Sequence, residues 1–266
     1  MERFRDGAPF RSGEWFQYPS YVSVAERREA AVLHAGRLSR KGRRLAPVTP
    51  SARGRALATT FWGRAWCDNL AAYAELANRL ERGRRYLRGG LVIDLQVSPG
   101  TVTALVSGSE IYEVSVSMKP MASQRWKAVV ARAAGRIDSV VELLAGRFDE
   151  GVMVHVCKRE TGLFPAPAEI AYECTCPDGF GGGWMCKHIA ATLYGVGVRL
   201  DEDPELLFRL RGVTAADLVA RATRGLTTAA PAKSGRRAIA GDKLSAVFGI
   251  ELDAAAAPRA SRRSRS

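Results

Sequence analysis

The sequence predicts an α+β protein in which helices pack on a small antiparallel sheet. Three observations predict it. Apolar residues follow helical spacing over residues 62–80, segments rich in β-branched residues alternate in polarity over residues 91–118, and three cysteines and a histidine cluster at residues 174–188. With 266 residues, of which 47% are hydrophobic and 25% charged, the chain is long enough for one large or two small domains.

The positive charge of the chain lies mainly at its two ends. The sequence has 40 Lys and Arg residues against 27 Asp and Glu, a net charge of +13. Residues 1–55 hold 12 basic and 5 acidic residues, residues 227–266 hold 8 and 3, and residues 56–226 hold 20 and 19. This pattern predicts a weakly structured basic N-terminal arm and a largely disordered basic tail. The surplus indicates either an anionic partner such as nucleic acid or a chain from an arginine-rich proteome.

One part of the tail departs from this pattern. Leu244, Val247, Phe248 and Leu252 give the segment 243–252 an apolar face at helical spacing. Such a short apolar segment in a polar tail either docks on a partner or packs back on the body.

The first half of the body, residues 56–160, predicts helices around a β-meander. Thr59 or Thr60 can cap the first helix, and an apolar face at helical spacing normally faces the core. The predicted elements are a helix carrying Trp62, Trp66, Leu70, Tyr73, Ala77 and Leu80, then an arginine-rich loop, strands at 91–97, 101–106 and 111–118, helices from Ser123 and at 137–145, and a strand at 151–156.

The second half of the body, residues 161–226, predicts a metal module followed by helices. Cys174, Cys176, Cys186 and His188 form the pattern Cys-x-Cys-x9-Cys-x-His. Thiolate sulfur and imidazole nitrogen are ligands that Zn²⁺ prefers in tetrahedral sites. We expect the first two cysteines on an extended stretch or its turn, and Cys186 at the cap of a helix whose first turn holds His188. Farther along, Asp203-Pro204 and Thr214 with Asp217 predict two further helix starts.

Four protein ligands would complete the coordination sphere of the ion, so we predict one structural Zn²⁺. The alternatives are buried free thiols and a disulfide, and a reducing compartment disfavours the disulfide. His155 and Cys157 are a competing pair, but on the predicted strand they share a structural face. The sequence contains no HExxH, GxxxxGK[ST], GxGxxG or GxSxG motif, so we expect a protein that is not an enzyme.

The sequence also predicts a compartment. Residues 1–6 lack the apolar stretch of a signal peptide, and five cysteines are an odd number. The longest apolar run, Ile189–Val198, is far shorter than the roughly 20 residues that cross a bilayer. We therefore expect a cytoplasmic protein without a membrane partner, either free or associated with the nucleoid.

At the metal-ligand pattern the sequence resembles the SWIM zinc-finger family, whose members carry Cys-x-Cys-x(n)-Cys-x-His on a ββα core. The four predicted ligands match its ligand positions one for one, whereas the glycine-rich loop at 179–183 departs from the family's usual insert. The likeness extends over about residues 56–226 to bacterial, especially actinobacterial, members. It is carried by Thr60–Trp66, Asn78-Arg79-Leu80, Leu163-Phe164-Pro165, Cys186–Ala191 and Leu200-Asp201. The resemblance implies binding to nucleic acid or protein, and a Swi/Snf-type helicase as a partner.

Two functions are consistent with these patterns. The first is binding to DNA or RNA as an accessory to a helicase, with base stacking on Tyr86 and phosphate contacts from Arg79, Arg82, Arg84, Arg85, Arg88 and Lys187. The other interpretation of that basic run is a solvated surface. The second function is that of a protein-interaction subunit, which recruits or regulates a Swi/Snf-type helicase without contacting nucleic acid itself.

Overall fold

A four-stranded antiparallel sheet lies at the centre of the fold. The computed structural model describes residues 22–52, 54, 56–72, 77–133, 150–178 and 185–228. The strands follow one another across the sheet as β1 (Val92–Ser98), β2 (Thr101–Ser107), β3 (Ile111–Met118) and β4 (Ile170–Cys174), each antiparallel to its neighbour. The predicted meander is confirmed, and β4 extends it at the β3 edge.

Eight α-helices accompany the sheet within the described residues. They are α1 (Val24–Arg40), α2 (Phe61–Ala71), α3 (Ala77–Arg88), α4 (Ser123–Ala133), α5 (Glu150–Val156), α6 (Lys187–Glu202), α7 (Glu205–Leu210) and α8 (Ala215–Thr228). The predicted α+β class is therefore confirmed, including the helices at the C-terminal end. None of these helices has the combination of length and apolar character that spanning a bilayer requires.

Helix α6 is the centre of the core. Most of its side chains from His188 to Leu200 are buried, and it contacts α2, α3, α7 and all four strands. The indole N–H of Trp66 donates to the Leu193 carbonyl at 2.8 Å, and that of Trp62 donates to the Leu200 carbonyl at 2.7 Å. Because α6 is apolar on nearly every face, it can serve as the element on which the others pack.

Asp201, near the end of α6, fixes the start of α2. Its carboxylate accepts hydrogen bonds from the N–H groups of Thr59 at 2.6 Å and Thr60 at 3.0 Å, and from the Ser51, Thr59 and Thr60 hydroxyls. Burial raises the pKa of this carboxyl, but the hydrogen bonds outweigh burial and hold the pKa below its ordinary value. Thr60 is the N-cap of α2, one of the two caps predicted.

The prediction of one continuous apolar helix through residues 62–80 is wrong. Helix α2 ends at Ala71, and Leu80 belongs to α3; Tyr73 lies outside the described residues. Trp66 contacts α6 at Leu193, and Gly83 contacts it at Ala190. In one straight helix, positions 66 and 83 would be about 26 Å apart. The chain therefore has to turn between them for both to reach the same part of α6.

The arginine-rich stretch is helix α3, which corrects the predicted loop. Its buried residues Leu80, Gly83, Tyr86 and Leu87 are three or four positions apart and face the core. Arginines occupy most of the remaining positions, and this high density of charge obscures the apolar face of the helix. The loop prediction weighed charge and overlooked this spacing.

Residues 150–156 also differ from the prediction, because they form α5 rather than a strand. Met153, Val156 and Cys157 are buried, whereas Val154 is 45% exposed. Burial thus recurs at a spacing of three and four, which is the period of a helix. Alternation over six residues was too short a pattern to distinguish the two.

Much of the N-terminal segment is ordered, unlike the weakly structured arm predicted for residues 1–55. Helix α1 begins with a capping box between Ser23 and Glu26. Arg28 donates to the carbonyl of Gly89 at 2.7 Å, and the buried carboxylate of Asp94 accepts the N–H of Ala46 at 2.9 Å. These long-range contacts tie the segment to the body.

Three predicted features fall outside the described residues. They are the helical piece at 137–145, the glycine-rich loop at 179–183 and the apolar segment at 243–252. The described residues as far as Thr227 belong to one compact unit.

We expect Gly83→Ala to destabilise the protein by about 1–3 kcal/mol, because the added methyl group would overpack the contact between α3 and α6. It would lie 2.8 Å from backbone atoms of Ala190 and Ala191, which cannot move independently of the helix. Gly36→Ala is the matched control: it lies in α1 with no atom within 4 Å of the added group, so it should stabilise by about 0.5–1 kcal/mol. Urea unfolding measures both, and equal stabilities of the two variants would contradict the expectation.

Candidate metal centre

Two elements of the fold bring the cysteines and the histidine together. Cys174 is the last residue of β4 and lies opposite Val114 of β3. The N–H of Thr175 donates to the Glu113 carbonyl at 3.1 Å, which extends this pairing as the chain runs to Cys176. The start of α6 then lies close to the end of β4, so the fold delivers ligands from both.

The start of α6 supplies the other two ligands. Cys186 is the N-cap of the helix, and its sulfur accepts the N–H of Ile189 at 3.5 Å. His188 lies in the first turn, as the sequence predicts. A cap residue points back over the helix end, so that both side chains face the same point although only one residue separates them.

The geometry of the cluster fits a tetrahedral ion. One ligand atom from each of Cys174, Cys176, Cys186 and His188 lies within 4.8 Å of all the others. His188 Nδ1 is 3.8 Å from the sulfurs of both Cys174 and Cys186. Tetrahedral zinc with ordinary bond lengths requires sulfur–nitrogen separations of roughly 3.6 Å. The residues therefore fit a metal ion such as zinc, which all four would hold.

Burial makes this cluster unfavourable without a cation. All four ligand residues are at most 5% exposed. A hydrogen bond from the Cys174 thiol is the main cause that lowers the pKa of Cys186 to about 3, and hydrogen bonds with His188 and the Ile189 N–H add to it. The same hydrogen bond raises the pKa of Cys174. A buried thiolate requires a compensating positive charge. A divalent metal supplies that charge and stabilises several thiolates at once.

The two remaining cysteines behave differently. Burial raises the pKa values of both Cys67 and Cys157 to about 12, so they remain neutral thiols. Within the described part of the chain, no second group of three or more His, Cys, Asp or Glu residues could hold a metal. The pair His155 and Cys157 therefore belongs to no such cluster.

Two aromatic side chains pack against the His188 ring. The Tyr112 ring lies 4.5 Å from it, centroid to centroid, and the Tyr86 ring meets it edge-on at 5.2 Å. His188 Nε2 is buried and has no hydrogen-bond partner among the described residues. Metal-bound histidines usually donate this second N–H to an acceptor. The described residues thus provide all four candidate ligands but no acceptor for the N–H of His188 Nε2.

Four of the predicted nucleic-acid contacts lie around the start of α6. Arg79 and Lys187 each lie 3.5 Å from a carboxylate oxygen of Asp178. Arg82 is exposed on α3 and forms no ion pair with a described residue. Arg85 pairs with Glu81 at 3.4 Å, and its side chain is 74% exposed. The fold thus presents these cations beside the Cys/His cluster.

The other three predicted contacts face the protein. Arg84 donates to the Tyr194 hydroxyl at 3.3 Å with its guanidinium over that ring, and Arg88 donates to the Ala56 carbonyl at 3.4 Å. Tyr86 is only 9% exposed, so its ring packs in the core and is not an open stacking surface.

The sequence patterns do not single out Arg27, a half-buried residue that joins the cations around the site. Its guanidinium lies 5.9 Å from the centre of the Tyr86 ring, and so does the Lys187 ammonium. Arg27 lies more than 50 residues before Tyr86, in α1, and no local motif connects the two. Only the packing of α1 on the body brings it to the site.

Fold and site together define an α+β protein with a buried Cys₃His cluster that could hold a metal ion such as zinc. The chain is similar to the uncharacterized protein Rv2102 of Mycobacterium tuberculosis, with 37% identity over 173 residues. That alignment covers 64% of this chain and 61% of the mycobacterial protein, so the chain spans less than two thirds of its relative's length. No family model and no solved structure matches the chain.

Proposed function

We propose that this protein is a SWIM-type zinc-binding protein, not an enzyme, which binds DNA or RNA as an accessory to a helicase. The observation that supports it best is the position of Arg82, Arg85 and Lys187 beside the buried Cys₃His cluster. A metal held by four protein ligands acts as a structural brace. It would fix the β4–α6 junction, and through α6 the surface that carries the cations.

Charge around the site favours a polyanionic partner. The exposed arginines of α3 and Lys187 outnumber the two nearby carboxylates, Glu81 and Asp178, with which they pair at 3.4–3.5 Å. Exposed ion pairs at such distances contribute little and exchange readily for phosphate contacts. Arginine provides bidentate contacts to phosphate, which suits it to a nucleic-acid backbone.

The helicase part of the proposal rests on the resemblance to bacterial SWIM proteins. The four ligand residues carry the resemblance to the SWIM family as a whole, and their buried, converging arrangement suits a SWIM-type zinc module. A closed site with four protein ligands also supports a role outside catalysis, because catalytic zinc normally keeps one position for water.

Replacing Arg82 and Arg85 together by glutamine should weaken binding to DNA or RNA about tenfold at low salt. Each lost phosphate contact also lowers the slope of log K against log salt by about 0.7–0.9. Fluorescence anisotropy between about 50 and 200 mM salt measures both quantities. The slope should fall by about 1.4–1.8, because the change removes two phosphate contacts and leaves the fold intact.

The matched control replaces Arg64 and Arg221 by glutamine. Arg64 is exposed like Arg82, and Arg221 pairs with the residue four positions earlier in its helix, Asp217, as Arg85 pairs with Glu81. The control should bind like the wild type. If the wild type bound neither DNA nor RNA at about 50 mM salt, the nucleic-acid proposal would be abandoned.

A second candidate function is that of a protein-interaction subunit that recruits or regulates the helicase without touching nucleic acid. The exposed apolar pair Val32 and Leu33 on α1 favours it, since their side chains are 71% and 61% exposed. A pulldown of the tagged chain, with and without nuclease, separates the two. Helicase retained after nuclease treatment favours the protein interface, and helicase lost with the nucleic acid favours the first function.

A further inference from the structure

We infer that the cavity between α1, α3 and the start of α6 is a binding site for one nucleotide, whose base accepts a hydrogen bond from His188 Nε2 and whose phosphate lies on the surrounding cations. The expected source is an unpaired nucleotide of a single strand, and this choice of source rests on the proposed nucleic-acid function. The cavity has a volume of about 560 Å³, which lies in the range of sites for small ligands.

The inner wall of the cavity provides an unused hydrogen-bond donor. His188 Nδ1 faces the sulfurs of the cluster, so metal binding there places the remaining proton on Nε2. The ring is 1% exposed, and Nε2 has no partner among the residues that the structure describes. His188 lines the cavity. A ligand acceptor, such as a ring nitrogen or carbonyl oxygen of a base, would satisfy this donor.

The space next to Nε2 is kept open by Gly108. A side-chain carbon at this position would lie 3.1 Å from Nε2 and 2.6 Å from the edge of the Tyr112 ring. Ser109, which follows, bonds the Tyr112 hydroxyl at 2.6 Å and lines the same cavity. The turn between β2 and β3 thus holds the aromatic wall in place without closing over the histidine.

The outer wall is cationic. Arg27, Arg82, Arg85 and Lys187 all line the cavity, and no carboxylate is among its described lining residues. The nearest acidic partners lie outside the cavity wall: Glu81 beside Arg85, and Asp178 beside Lys187. A ligand for this site therefore carries negative charge at the opening of the cavity.

Together, the apolar contacts, the His188 donor and the cations of the cavity favour a nucleotide over other anionic ligands. Val22 and Val24, which are 38% and 46% exposed, offer apolar contact to a planar ring, and the donor of His188 suits an acceptor within that ring. The cations suit a phosphate attached to it. Inorganic phosphate alone would use the cations and leave the inner wall without contact.

The test is binding of AMP, GMP, CMP and UMP, each separately, to the zinc-loaded full chain, with ribose 5-phosphate and inorganic phosphate as probes that lack a base. At least one mononucleotide should bind about tenfold more tightly than ribose 5-phosphate, the scale of one base contact. Its addition should shift the NMR signal of the His188 Nε2 proton. If no mononucleotide bound better than ribose 5-phosphate, the inference would be overturned.

A variant that fills the cavity tests its location. Val24→Trp places a large side chain at the edge of the cavity, where Val24 is 46% exposed, and leaves all four cations unchanged. It should lose about tenfold in mononucleotide affinity, which is the contribution of the base contact. Leu33→Trp is the matched control on the same helix, since Leu33 is 61% exposed and does not line the cavity. Equal affinities of the two variants would place the nucleotide elsewhere.

Oligonucleotides separate this inference from the proposed function. Single strands that bind more tightly than duplexes of the same sequence, and that lose this advantage in Val24→Trp, support both. Strand and duplex bound equally, with no mononucleotide binding, overturn the cavity site and leave the proposed function standing. Mononucleotide binding without any binding of DNA or RNA supports the cavity site and overturns the proposed function.

Discussion

Cys186→Ser should release the metal and lower the free energy of unfolding by several kcal/mol, because metal binding contributes directly to the stability of the folded state. The substitution isolates that effect. Serine is a preferred N-cap residue, so it can still accept the N–H of Ile189 at the start of α6. What it removes is one of the three thiolates that converge within 4.8 Å of the other ligands.

Metal analysis and thermal unfolding measure this effect. The wild type should contain one zinc per chain and lose thermal stability on chelation, and Cys186→Ser should contain less metal. Cys67→Ser and Cys157→Ser are the controls, because both cysteines are buried but lie outside the cluster. Both control variants should retain zinc, although burying the new serine hydroxyl lowers their stability to some extent. A metal-free wild type whose melting temperature is unchanged by a chelator would disprove the site.

The candidate metal centre is the part of this protein that is most predictable from sequence, because its information is local. All four predicted ligands fall within 15 residues. Side chains two positions apart in a helix point in nearly opposite directions, so Cys186 and His188 can share one ion only if Cys186 lies at the helix cap. Strands β1 to β3 are predictable for a similar reason. They are joined by short turns, so each strand finds its partner next to it in the sequence.

The elements that were not predictable depend on contacts between distant residues. The close approach of Gly83 in α3 to Ala190 in α6 joins positions that are more than 100 residues apart. Arg27 reaches the site only through the packing of α1. Local spacing does indicate the buried face of α3, but it cannot indicate which distant residues that face contacts.

Arg211 is a further element of this kind, and Arg211→Met should lower the free energy of unfolding by about 3 kcal/mol. Its guanidinium is fully buried and donates to the Lys119 carbonyl and to a Glu169 carboxylate oxygen, both at 2.7 Å. Removing one partner of a buried pair leaves the other charge uncompensated. We expect the lower end of the usual range, because Arg125 still lies 3.1 Å from Glu169.

The matched control is Arg209→Met, two positions earlier. Arg209 pairs with Asp203 at 3.3 Å, but both side chains are more than 40% exposed, so its loss should cost less than about 1 kcal/mol. Chemical denaturation at pH 7 compares the two variants. Similar losses would show that the buried guanidinium has no special role.

The pH dependence gives this prediction a second readout. Burial raises the pKa of Glu169, but hydrogen bonds from Arg211 and the Ala166 N–H, together with the charges of Arg211 and Arg125, outweigh it and hold the pKa below the ordinary value of 4.5. A carboxyl whose pKa is lowered by folding stabilises the protein above pH 4.5, and this contribution is lost as the pH falls through the lowered value. The difference between wild type and Arg211→Met should therefore be largest at neutral pH and shrink below pH 4.5.

The ion pair between Arg211 and Glu169 also links the stability of the fold to the candidate metal centre. Arg211 holds Lys119, just after β3, and Glu169, just before β4, so it fixes the two strands at the end opposite Cys174. Loosening that end frees β4, whose last residue, Cys174, belongs to the cluster that could hold a metal. Arg211→Met should therefore also increase the rate at which a chelator removes zinc, whereas Arg209→Met should not. An unchanged rate in both variants would mean that β4 is held by its pairing with β3 and by the metal alone.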